Sequence, residues 1–237
     1  MSIHLELTGV HTHYDTSHIL FDVSLEVNAG ESVCLLGRNG AGKTTTLKSI
    51  MSLAPVSAGR IRFNGVDLVG LPPYEIARLG IGFVPDDRLI FPDLTVRENL
   101  EIAIKPGVAG APERWTVERI YELFPVLMPL DARLGGYLSG GEQQMLTIGR
   151  TLMGNPSLLL LDEPVEGVAP VVVQELTGKI KQLKTMGLTI LFAEQNMRFA
   201  TEISDRAYVI EKGHIRYQGT MGELVGNEEV KAKYLMI

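Results

Sequence analysis

Two hydrophobic rhythms divide this chain. At its start, apolar and polar positions alternate as they do in half-buried strands: Ile3-His4-Leu5-Glu6-Leu7 alternates, and Val23-Ser24-Leu25-Glu26-Val27 alternates again. Asn28-Ala29-Gly30 reads as a turn, and the apolar run at 32–36 reads as a short strand. A glycine-rich segment follows, then a helix predicted from 43 to about 53 and further strands at 61–63 and 81–84. From about 95 to 151 a helical period takes over, with Val117, Ile120, Leu123, Phe124 and Leu127 at helical spacing. Pro106, Gly107, Gly110 and Pro112 mark a loop ahead of that spacing. Strand signals return at 158–161, 189–193 and 207–210, separated by helical stretches. Strands alternating with helices predict an α/β core with a parallel sheet, interrupted by an inserted helical lobe.

Composition narrows the class. A chain of 237 residues can bury a sizeable core, and 45% apolar with 21% charged residues is the balance of a soluble globular protein. The apolar runs stop after a few positions, far short of the roughly 18–20 residues a membrane-spanning helix needs, and the N-terminus carries no secretory pattern. The single Cys34, set in an apolar run, excludes an internal disulfide and fits a reducing compartment. A formal net charge of -6 argues against a nucleic-acid-binding surface. The expectation is a cytoplasmic protein with no nucleic-acid partner.

Gly37-Arg38-Asn39-Gly40-Ala41-Gly42-Lys43-Thr44 fills the G-x-x-x-x-G-K-[ST] pattern between a predicted strand and a predicted helix, with Thr45 beside it. The glycines let backbone N–H groups turn inward around phosphate oxygens, and the helix start adds its positive end. Lys43 is expected to reach the β- and γ-phosphates of ATP, and the Thr44 hydroxyl to hold Mg²⁺. Leu158-Leu159-Leu160-Leu161-Asp162-Glu163 is an apolar strand ending in two carboxylates. A buried parallel strand delivers its C-terminal end to the ligand side of the sheet. Asp162 is therefore expected on Mg²⁺, and Glu163 is expected to orient or deprotonate the attacking water.

Between these motifs stands Leu138-Ser139-Gly140-Gly141-Glu142-Gln143-Gln144, which resembles the signature motif of the ABC ATPases. Ser139 with the Gly140 and Gly141 amides forms a phosphate-binding cap at a helix start. The resemblance implies that this cap faces ATP held by a partner subunit, hence a dimer with two shared sites. It also implies the fold: a P-loop ABC ATPase core with a parallel sheet, an N-terminal antiparallel β-subdomain and an inserted helical lobe. The expected division is 1–86 and 152–237 for the core and 87–151 for the lobe. Tyr14 matches the aromatic that stacks on adenine; the alternative is an ordinary strand tyrosine. His11 and His13 stand two apart on one strand face, but no further ligand cluster accompanies them.

Two positions depart from the commonest ABC pattern. Asp86 replaces the usual glutamine after Phe83-Val84-Pro85, and Gln195 replaces the usual histidine in Phe192-Ala193-Glu194-Gln195-Asn196. Asp86 still offers oxygen to Mg²⁺ or water, and Gln195 still donates an amide hydrogen bond to the γ-phosphate, although it does not titrate. These departures, with Gly167-Val168-Ala169-Pro170 and Met145-Leu146-Thr147-Ile148-Gly149-Arg150, resemble the smaller ATP-binding protein of bacterial high-affinity branched-chain amino-acid importers. The resemblance implies a homodimer or a heterodimer with a paralogous ATPase, under two permease subunits served by a periplasmic binding protein. The chain would then sit on the cytoplasmic face of the inner membrane. Urea, amides or aromatic acids are alternative cargoes, and a nucleotide-binding subunit with little turnover is an alternative role. A P-loop kinase has no use for the signature heptad, and a soluble ABC protein of translation or repair needs two ATPase units or a long coiled coil.

Overall fold

The computed structural model describes residues 2–104 and 114–235, so the loop expected around Pro106, Gly107, Gly110 and Pro112 lies outside the described residues. The chain opens with strands β1 (Ile3–Tyr14), β2 (Ser17–Asn28) and β3 (Ser32–Leu36). Helix α1 (Lys43–Ile50) follows, then β4 (Val56–Phe63), β5 (Val66–Asp67), α2 (Pro73–Arg78) and β6 (Ile81–Val84). Three helices come next: α3 (Val96–Glu101), α4 (Val117–Leu123) and α5 (Gly140–Leu152). The chain then alternates through β7 (Leu158–Asp162), α6 (Pro170–Thr185), β8 (Thr189–Glu194) and α7 (Met197–Ile203). It continues with β9 (Arg206–Glu211), β10 (His214–Thr220) and α8 (Met221–Gly226).

Two sheets form. One runs β2-β1-β4-β5 and is antiparallel; the other runs β10-β9-β3-β8-β7-β6, parallel except for β10. The central strands β3, β7 and β8 are buried at every position and mostly apolar, because both faces are covered. Val33 and Leu35 of β3, Leu158 and Leu160 of β7, and Leu191 and Ala193 of β8 join Leu5, Leu7, Leu25, Leu47 and Ile50 in a core facing the antiparallel sheet and α1. Their alternates Cys34, Leu36, Leu159, Leu161, Ile190 and Phe192 join a second core with Leu146, Ile148, Leu176, Ile180 and Phe199 from the helices. Period-2 geometry thus feeds two cores from one strand.

The α/β architecture, the antiparallel N-terminal sheet and the helices after β6 agree with the expected fold. Details differ for physical reasons. The alternation seen at residues 3–7 belongs to a strand that runs on to Tyr14, because register shifts after Leu7 and Val10 reset which side chains face inward. Helix α1 stops at Ile50 rather than near 53, as Ser52 takes φ 53°. The helical stretch expected at 95–151 contains separate helices: Thr95, Thr116 and Ser139 each cap a start, and Pro125–Leu130 forms a 3₁₀ helix.

One turn joins both sheets to the phosphate loop. Gly213, between β9 and β10, donates its N–H to Ala41 O at 2.8 Å and accepts from Phe21 N of β2 at 2.9 Å. Its φ is 76°, and an added Cβ would lie 1.9 Å from Ile19 O. Gly213→Ala should therefore lower unfolding free energy by about 2 kcal/mol or more, with an unchanged denaturant slope. Urea titration checks this; a variant as stable as the parent would show that the turn relaxes freely.

Candidate functional site

The sequence motifs converge at the C-terminal ends of the parallel strands. The loop 37–42 leaves β3 and opens α1, with Gly42 at φ 110° as the residue before the helix. Gly37 N donates to Glu194 O at 3.1 Å, fastening the loop to the end of β8. Lys43 is only 3% exposed, and each of its three ammonium protons has an acceptor: Gly37 O at 2.9 Å, Arg38 O at 3.1 Å and Glu163 Oε1 at 2.9 Å. Thr44 Oγ1 donates to Asp162 Oδ1 at 3.0 Å, while Asp162 Oδ2 is buried without a partner among the described residues. The two acidic strand-end residues therefore meet the Lys-Thr pair of the loop.

Glu163 sits in a left-handed backbone conformation, φ 44°, held by its N–H to Ala193 O at 3.0 Å. Such a conformation costs on the order of 1–3 kcal/mol and persists where surrounding bonds fix it. It turns Glu163 into a cavity of ≈ 400 Å³ lined by Asn39, Gly40, Gly42, Lys43, Thr44, Thr45, Asp86, Glu163 and Glu166. Asp86 is exposed, and its Oδ1 accepts the N–H of Asp87 at 3.0 Å.

Other expected site residues stand around this cavity rather than in it. Gln195 is exposed and lines a separate depression with Gly37, Arg38 and Asn39. Tyr14 ends β1, 41% exposed, at the hairpin to β2. Ser139, Gly140 and Gly141 begin α5 and do not line the cavity; the Ser139 hydroxyl accepts from Glu142 N, and the Glu142 carboxylate accepts from Ser139 N at 2.7 Å. His13 and His18 stack at 3.9 Å, and no group of three or more possible metal ligands occurs among the described residues.

Three residues without an expected role belong to the neighbourhood. Glu166 shares a hydrogen bond with Glu163, which raises its proton affinity, and its own N–H donates to Glu163 O at 3.0 Å. A carboxylate three residues after Glu163 was its only sequence signal. Arg88 reaches Gln144 Oε1 at 3.2 Å and Glu166 O at 3.4 Å, bridging the Asp86 loop, α5 and the turn after β7. Glu194 is 2% exposed, and its Oε2 accepts the N–H of both Gln195 and Asn196 at 3.0 Å. An acidic residue ending an otherwise apolar strand was visible, but its inward direction was not.

The ABC transporter family model matches residues 20–166 of the chain. The chain is 43% identical over 233 residues to the high-affinity branched-chain amino acid transport ATP-binding protein BraG of Pseudomonas aeruginosa, covering 98% of this chain and 99% of that protein. It is 38% identical over 224 residues to the lipopolysaccharide export system ATP-binding protein LptB of Haemophilus influenzae, covering 94% of this chain and 92% of the other. The crystal structure of a nucleotide-free ATP-binding cassette from an ABC transporter aligns with a TM-score of 0.82 and 28% identity, covering 97% of each chain.

Burial sets the electrostatics of the acidic groups. It pushes Asp162 from 3.8 up to about 6, opposed by the Thr44 hydrogen bond and reinforced by Asp86 and Glu163. It pushes Glu194 from 4.5 up to about 7, against the N–H bonds from Asn196 and Gln195. In each case the folded chain keeps a proton that the unfolded chain has released, so stability falls as pH rises through that window. The Asp162 share ends near pH 6, and the fall between about 6 and 7 belongs to Glu194. Glu194→Gln, which does not ionise, should lose less melting temperature than the parent between about pH 6 and 7, the difference being a few degrees. Calorimetry at constant ionic strength measures it, and equal slopes would remove Glu194 as the source.

Proposed function

The chain belongs to the ABC transporter family as an ATPase subunit, and on that premise we propose that it drives a bacterial importer of branched-chain amino acids. The observation that carries the cargo is the 43% identity to the Pseudomonas relative over nearly the full length of both chains. Gln195 and Asn196, the departure from the common histidine, point the same way. The 38% identity to a lipopolysaccharide export subunit supports a second reading, the same engine under a different permease.

The residues divide the chemistry as follows. Asp162, Thr44 and Asp86 offer hard oxygen ligands, and the unpartnered buried Asp162 Oδ2 fits Mg²⁺. When bound, Mg²⁺ neutralises charge on the β- and γ-phosphates. Free backbone N–H groups of the loop and the start of α1 surround the phosphates, and Tyr14 stacks on adenine. Lys43 exchanges Glu163 for phosphate oxygen, which frees the Glu163 carboxylate to accept a hydrogen bond from the attacking water and orient it. Gln195 donates its amide N–H to the γ-phosphate. Ser139, Gly140 and Gly141 close the site of a second subunit, either a copy of this chain or a paralogue. Two permeases and a periplasmic binding protein complete the assembly, so that this chain works at the cytoplasmic face of the inner membrane. No helix among the described residues is long and apolar enough to cross a membrane itself.

Contact with the permease is assigned to a groove of ≈ 790 Å³ lined by Phe83, Leu89, Phe91, Ile102, Ile104 and Arg150, among others. Leu89 and Phe91 are 60% and 46% exposed, whereas Ile90 packs on the core and pins the segment. Asn99 holds Phe91 at both N–H and C=O, and Arg150 donates to Leu89 O at 2.6 Å, so the groove wall is preorganised. A short amphipathic cytoplasmic helix from the permease fits such an apolar groove.

Glu163→Gln should bind ATP but hydrolyse it about 100-fold more slowly in single turnover. In cells lacking the native chain it should also fail to restore labelled leucine uptake, which the parent restores. Near-normal hydrolysis would remove Glu163 from the mechanism; unaffected leucine uptake in the deletion strain would overturn the cargo. Leu89→Ala and Phe91→Ala, made singly, should keep basal ATPase activity within about twofold and weaken permease binding about tenfold. Normal assembly and transport by both would show that the groove does not use these side chains.

A further inference from the structure

Glu194 is a carboxylic acid in a place where packing alone favours a hydrocarbon. It ends β8, a strand buried at all six positions, and pairs in register with Leu36 at the end of β3. One of its oxygens, Oε2, collects the two backbone N–H groups of Gln195 and Asn196. The other, Oε1, is buried with no partner among the described residues. A buried polar atom left unpaired is costly, and an apolar side chain of similar volume would avoid that cost. What an apolar residue would not do is hold the turn that follows. The Gln195 and Asn196 N–H groups lie in the turn between β8 and α7, and Asn196 in turn caps α7 through Phe199 N at 3.1 Å. The backbone of the same residue acts in the other direction, since Glu194 O accepts the N–H of Gly37, the first residue of the phosphate loop.

We propose that Glu194 is the positioning residue for Gln195: its carboxyl fixes the turn that carries Gln195, and its backbone carbonyl fixes the phosphate loop, so one residue sets the distance between them. This rests on the reading of Gln195 as a donor to the γ-phosphate. The two charged groups that act on Glu194, Lys43 and Glu163, both belong to the same site, with Lys43 favouring its ionised form and Glu163 opposing it. Cys34 is the buried neighbour on the core side; burial raises its thiol, and Glu194 adds to the rise. The side chain is buried and its hydrogen bonds among the described residues go to the turn alone, so it acts on the reaction through the turn it holds.

The test is a cycle on the purified full-length chain, measuring ATPase kcat, the KM for ATP and the melting temperature. Gln195→Ala should lower kcat by about tenfold or more, and Glu194→Ala should do nearly the same with KM changed by less than about twofold. Glu194→Gln keeps an oxygen able to accept the two N–H groups and should recover most of the rate. In the double variant Glu194→Ala adds less than about twofold to Gln195→Ala, because both remove one function. Where Glu194→Ala does not fold, Glu194→Asp, which draws the carboxyl back by one methylene, takes its place in the cycle with a smaller loss of the same kind. An unchanged kcat for Gln195→Ala would sink the role given to Gln195 itself. A slow Gln195→Ala beside a normal Glu194→Ala, or losses that multiply in the double variant, would overturn the positioning role while leaving that of Gln195 intact.

Discussion

The site is organised by one buried ammonium. Lys43 is almost wholly out of water, and three acceptors satisfy its three protons: two carbonyls of its own loop and the carboxylate of Glu163. A buried charge without partners is expensive, so the lysine dictates where the loop carbonyls turn and where the end of β7 must stand. In the proposed function the phosphate that takes Lys43 displaces Glu163, so the arrival of substrate releases the carboxylate proposed to orient water. The neighbouring pair, Thr44 on Asp162, ties the same two segments a second time.

That pairing is possible because β3, β7 and β8 are parallel and adjacent, which brings the loop after β3, the carboxylates after β7 and the turn after β8 to one edge of the sheet. The strands hold this register because both of their faces are buried. A slip by one residue would exchange the side chains feeding the two cores, moving Leu159 and Leu161 to the side that receives Leu158 and Leu160. The cores thereby fix the site to within the accuracy of a strand register. Burial has a second effect, since the acids at these strand ends are desolvated and hold protons to higher pH than in water.

Around this centre the loops connect the site to the neighbouring helix and groove. Arg88 spans from the Asp86 loop to Gln144 of α5 and to the carbonyl of Glu166, while Leu89 beside it faces the apolar groove. Arg88 and Leu89 both have positive φ, 62° and 41°, so the segment is held in a sparsely populated backbone shape by Thr147 and Arg150, whose side chains donate to their carbonyls. The segment that touches the groove is therefore bonded directly to α5, the helix that Ser139 caps.

The sequence by itself determined which candidate motifs the chain carries and their order along it. The pattern at 37–44, the strand ending in Asp162 and Glu163 and the heptad at 138–144 were legible because each needs a fixed local spacing of glycines, hydroxyls, carboxylates and apolar residues. The two-faced burial of 158–161 was legible for the same reason, as an unbroken apolar run. Tertiary structure alone decided which groups meet. The pairing of Lys43 with Glu163, the bond of Thr44 to Asp162 and the reach of Arg88 to Gln144 join residues whose separation along the chain carries no pattern, and no pattern shows the inward direction of Glu194. The strand register shifts in β1 were hidden for a related reason, since a bulge breaks the alternation by which a strand is recognised. Local spacing encodes what a segment can do, and the packing of separate segments decides which charges and hydrogen-bonding groups face each other.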